Sequence, residues 1–173
     1  MSENSNLQQQ DTVFEVVIGF LQNIGIPVYF QPIATTCFLP GLEIQNGALY
    51  IDRDKLTYPG DILHEAGHIA VVPAAERVDL NADAIAKRPH REAEEMMAIA
   101  WSYAVTVYLN IDASFVFHDD GYKGGGSGIA ENFKNGQYFG VPMLQWVGMT
   151  YERPDPEDPN RPIYPQMLHW LRN

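Results

Sequence analysis

The chain has 173 residues, of which 46% are hydrophobic and 19% charged, so it can bury a core and is not globally disordered. Eleven basic against 22 acidic residues give a formal charge of −11, which repels phosphate and makes nucleic acid and anionic membranes poor partners. The one cysteine, Cys37, excludes an intramolecular disulfide.

Residues 1–11 are polar and carry Glu3 and Asp11, which reads as a disordered tail and not as a secretory signal. A cytoplasmic location is expected. From Thr12, the apolar positions Val13, Val16, Val17, Phe20, Leu21 and Ile24 recur at helical spacing, with a capping-box pair in Thr12 and Glu15 and a stop at Gly25. Ile26 to Phe30, between Pro27 and Pro32, predicts an edge strand. Residues 42–45 and 48–52 flank Asn46-Gly47, a dipeptide suited to the positive φ angles of a type I′ turn, so a β-hairpin is predicted.

Pro59-Gly60-Asp61 opens the next helix and Pro73 closes it. A short helix is expected near residues 81–87, and a longer one from Glu92 to about Leu109, with acidic side chains in its first turn. The run from Met96 to Leu109 is too short to span a bilayer and reads as a buried helix. Beyond it come a glycine-rich loop at 121–128, a helix near Ile129 to Lys134, the apolar segment Val141 to Met149, and a docked helix over Met167 to Leu171. No long linker separates these elements, so residues 12–173 are expected to form a single α+β domain.

The motif that carries chemistry is His64-Glu65-Ala66-Gly67-His68, an HExxH pattern inside DILHEAGHIAVV. On a helix, residues four apart lie about 40° from each other around the axis, so both imidazoles leave one face and can close on one divalent ion. Glu65 stands one step round, where a carboxylate can take a proton from water acidified by that ion. A catalytic zinc needs a third protein ligand and an open position. Val71 and Ala74 stand where the metzincin pattern requires glycine and histidine, which excludes that class. The glutamates at 92, 94 and 95 are the available source. Glu95 is favoured, because Ala98 and Ser102 below it are small enough to let its helix approach Gly67; Glu94 is the alternative. His90 and His118 are weaker ligand candidates, and Tyr103, Tyr122 and Tyr138 are candidates for stabilising an oxyanion. The glycine-rich loop is a candidate rim for a substrate cleft.

With these residues in place, residues 40–110 resemble the zincin metallopeptidases whose third ligand is glutamate. Glu95-x-x-Ala98-x-x-Trp101 after the HExxH helix is similar to small bacterial zincins, including those that cleave phage-type repressors. The resemblance implies a zincin-like fold, zinc on His64, His68 and Glu95, and Glu65 as general base in hydrolysis of a peptide or protein substrate. A metal-binding regulatory module without turnover, or a hydrolase of non-peptide amides, would use the same residues.

Overall fold

A computed structural model of the chain describes residues 2–34, 39–122 and 124–173; Cys37 lies outside them. The architecture is mixed α+β, with a small three-stranded sheet and six α-helices among the described residues. No helix there is long and apolar enough to cross a membrane.

Helix α1 is Ser2–Asn23, so it starts ten residues before the capping pair at Thr12 would place it. Its buried side is Phe14, Val17, Ile18, Phe20 and Leu21, whereas Val16, expected on the inner face, is exposed. The spacing 14, 17, 18, 21 is as good a helical stripe as the predicted one, and packing selects it. Gly25, at φ +95°, ends the helix as expected.

Strand β1 is Val28–Phe30, β2 is Leu42–Gln45 and β3 is Ala48–Ile51, in the order β1-β3-β2. The β2–β3 hairpin turns at Asn46 and Gly47, with φ of +52° and +70°, the pair of positive angles its sequence predicts. Strand β1 occupies an edge, as expected between two prolines, and pairs parallel to β3. Leu42, Ile44, Leu49 and Ile51 are buried.

Helix α2, Asp61–Ala70, packs against β2 and β3 and carries the HExxH motif. It enters through Gly60, where a Cβ would fall 1.6 Å from the Phe115 carbonyl oxygen; only glycine admits that crossing. A 3₁₀ turn at Ala74–Asp79 follows. The short predicted helix is α3, Ala82–Ala86, capped by Asn81, whose side chain accepts from the Ala84 N–H at 2.9 Å.

Helix α4, Arg91–Leu109, stops at Asn110 in the left-handed region and lies directly on α2. Helices α5, Gly126–Lys134, and α6, Val141–Trp146, complete the set, so the glycine-rich stretch 121–128 is partly helical. Residues 167–171 are docked but not helical. Trp170 packs edge-on to Phe20 and Trp101, and its carbonyl accepts from the Trp101 indole at 2.8 Å. The Arg172 N–H donates to the Ala70 carbonyl at 2.9 Å, and the irregular backbone makes these bonds where a helix would keep its groups to itself.

Candidate metal centre

His64 and His68 project from the same face of α2 toward α4, their rings edge-on with centroids 4.8 Å apart. The helices come close because Gly67 faces Ala98: a Cβ at 67 would sit 2.9 Å from the Ala98 carbonyl oxygen and 3.1 Å from its Cα. One turn along α4, the buried Ser102 hydroxyl lies 3.1 Å from the Leu63 carbonyl and 2.7 Å from that of Ala98, a polar stitch between the two helices. Gly67, Ala98 and Ser102 thus make the close seam that their sizes predict.

That seam brings Glu95 to the histidines. Its Oε1 is 3.4 Å from His64 Nε2 and its Oε2 is 3.2 Å from His68 Nε2, while the two Nε2 atoms are 3.2 Å apart. One donor atom from each residue lies within 4.8 Å of the others. Tetrahedral zinc with bonds of about 2.0–2.1 Å needs donors about 3.3 Å apart. The two imidazole nitrogens are 3.2 Å apart and each meets a different Glu95 oxygen near that spacing, and two imidazoles with one carboxylate suit a borderline divalent ion. Among the described residues no fourth His, Cys, Asp or Glu joins the group. The histidine side chains are 16% and 10% exposed but that of Glu95 is 44% exposed, so the cluster opens to solvent on the α4 side.

Glu94 points elsewhere. It is buried at 6% and takes two hydrogen bonds from Arg88, Nε to Oε2 at 2.5 Å and Nη2 to Oε1 at 2.9 Å. The third carboxylate of the trio, Glu92, pairs with Arg91 in solvent. His90 is exposed at the head of α4. His118 is near but separately engaged: its Nε2 meets Asp61 Oδ1 at 2.8 Å, and its ring stacks on Tyr58 at 4.2 Å. Neither histidine belongs to the cluster.

The site's electrostatics follow from burial and crowding. Burial pushes the Glu65 carboxyl above the ordinary carboxylate range; His68 opposes the rise, and Asp61 and Glu95 add to it. Burial, then the charge of His68, holds His64 down to about 4 against the pull of Glu95. Burial also works against charge on His68, but the Glu95 hydrogen bond and the carboxylates of Glu65, Glu95 and Glu94 raise it. Burial would raise Glu95 too, yet the His68 hydrogen bond and both imidazole charges keep it low.

Of the three tyrosines, only Tyr122 reaches the cluster. Its hydroxyl lies 3.1 Å from His64 Nδ1, the nitrogen that does not face Glu95. Tyr103 is buried in a ring cluster with Phe133, Tyr138 and Tyr164. The pairs Arg88–Glu94, His118–Asp61 and Tyr122–His64 were not anticipated from sequence. Asp61 alone carried a signal, standing one helical turn before His64 on the same side of α2.

Compared with protein-family models, with curated proteins and with solved structures, the chain matches none.

Proposed function

We propose that the protein is a zinc-dependent, zincin-like hydrolase acting on peptide bonds. The observation that supports this most is the His64–His68–Glu95 cluster, with one donor atom of each within 4.8 Å of the others, beside a carboxylate whose proton affinity is raised. His64, His68 and Glu95 would hold the ion. Zinc held there supplies Lewis acidity, lowering the pKa of water toward about 7 and polarising a carbonyl. Glu65 accepts the proton released when water attacks and returns it to the departing amine; burial raises its affinity for that proton, which favours the acceptance step. The exposure of Glu95 leaves the cluster reachable by a substrate from solvent. Peptides are the proposed substrates because the HExxH–glutamate arrangement resembles that of peptidases that use these ligands.

The purified chain is expected to hold about one zinc per molecule. Elemental analysis combined with a peptide-library cleavage assay tests this. Glu65→Gln should keep the zinc and lose cleavage; full activity in that variant removes Glu65 from the mechanism. Stoichiometric zinc with no cleavage of any library member by the unaltered chain would favour a metal-stabilised binding module.

A further inference from the structure

His64 has two ring nitrogens, and only one can face an ion. Nε2 points to His68 and Glu95, whereas Nδ1 lies 3.1 Å from the Tyr122 hydroxyl. A neutral imidazole that offers Nε2 as a lone pair carries its hydrogen on Nδ1 and needs an acceptor there. Tyr122 is the partner at that position.

What holds Tyr122 is a bridge made by His118. The Gly121 N–H donates to His118 Nδ1 at 3.1 Å, so that nitrogen is an acceptor, and Nε2 carries the hydrogen given to Asp61 Oδ1 at 2.8 Å. The ring thereby ties the turn 118–122 to the first turn of α2, three residues before His64. Gly121 makes room for it, since a Cβ there would lie 2.8 Å from His118 Cε1. Tyr58 covers the ring by stacking at 4.2 Å and anchors its own hydroxyl on Asp120 at 2.6 Å. The Tyr122 ring itself stands edge-on to His64 and packs on Phe117.

We infer that Tyr122 is a positioning residue for the metal site: its phenol oxygen accepts the Nδ1 hydrogen of His64 and so presents the Nε2 lone pair to the ion, while the His118–Asp61 bridge holds the loop that brings it there. This rests on the metal-site reading above. It also gives Tyr122 a different task from oxyanion stabilisation, because a hydroxyl on Nδ1 lies across the imidazole from the ion-facing nitrogen.

The test is zinc affinity of the full chain, measured by competition with a chromophoric chelator, with thermal unfolding of the zinc-free chain as the control for folding. Tyr122→Phe keeps the ring and loses only the oxygen. It should weaken zinc binding by about 10–100-fold, as loss of an outer-shell partner does, with unfolding unchanged. Nitrogen-15 NMR of the zinc-loaded chain should show the His64 hydrogen on Nδ1, exchanging faster in Tyr122→Phe. His118→Ala and Asp61→Ala should weaken zinc in the unaltered background and add nothing in Tyr122→Phe. A purely packing role predicts full affinity in Tyr122→Phe and loss only in Tyr122→Leu, and that pattern overturns the inference; additive losses overturn the bridge. If the unaltered chain binds no zinc, the metal reading itself falls, an outcome distinct from a zinc-binding chain indifferent to the hydroxyl.

Discussion

Glu94 and Glu95 are separated by about 100° around α4, and that rotation sends one carboxylate to Arg88 and the other to the histidines. Glu94→Gln should leave zinc binding within a few-fold but lower stability by about 1–3 kcal/mol, because a part-buried guanidinium keeps only Glu76 as an ionic partner. Glu95→Gln should do the reverse, losing most zinc affinity at little cost in stability. Parallel melts and zinc titrations separate them, and swapped phenotypes would move the third ligand to Glu94. The histidines differ as sharply. Without metal, His64 is held down to about 4 while His68 is raised above its ordinary 6.5. At about pH 6, then, His68 carries a proton, His64 does not, and Glu95 is already ionised. An incoming ion has one proton to displace there, from His68. Affinity should therefore fall about tenfold per pH unit on acidification through this range, and more steeply below about pH 4, where His64 also takes up a proton. Calorimetry in buffers of different ionisation enthalpy should count about one proton released per zinc at pH 6; a count of two would contradict this ordering of the pair.

The seam between α2 and α4 sets the distance from Glu95 to the histidines. Gly67→Ala offers a clean perturbation, since helix propensity alone would favour alanine by about 1 kcal/mol. Here the added Cβ meets the Ala98 carbonyl at 2.9 Å, and backbone cannot yield as a flexible side chain can. Overpacking of this kind costs about 1–3 kcal/mol. The variant should therefore melt lower despite its better propensity, and bind zinc more weakly as Glu95 is pushed from the rings; a higher melting temperature with unchanged affinity would show that the helices are free to separate. This seam was legible in the sequence because its signals are local: HExxH at i and i+4, a glycine between them, and small side chains below Glu95. The hairpin at Asn46-Gly47 and the short helix near residues 81–87 were legible for the same reason. Parallel pairing of β1 with β3 was not, since an edge strand's partner is chosen by tertiary packing. Nor was the tyrosine on His64, 58 residues away in sequence, for which no spacing rule exists.

At the scale of the molecule, the proposed site joins two helices that both contribute to the apolar core. Ile62, Leu63, Ala66 and Ile69 of α2 and Met97, Trp101, Ala104 and Val105 of α4 are all buried in it. The segment 167–172, in which a helix was expected over 167–171, instead runs as a bent, irregular strap from Trp101 to the end of α2, because Ala70 of α2, Trp101 of α4 and Met149 beyond α6 offer it backbone or indole partners. An ion gripped by His64, His68 and Glu95 requires α2 formed and α4 docked, so it binds the folded chain in preference to the unfolded one. Ligand linkage then stabilises the whole fold: free zinc at 100 times its dissociation constant adds about 2.7 kcal/mol. For a domain of this size each kcal/mol moves the melting temperature by about 2–4 °C, so zinc should raise it by roughly 5–11 °C, and a chelator should reverse the shift. Differential scanning calorimetry on the unaltered chain and on His68→Ala measures this directly. The shift should vanish in the variant, where one of the three ligands is gone; an equal shift in both would mean that zinc stabilises the fold from somewhere other than these three side chains.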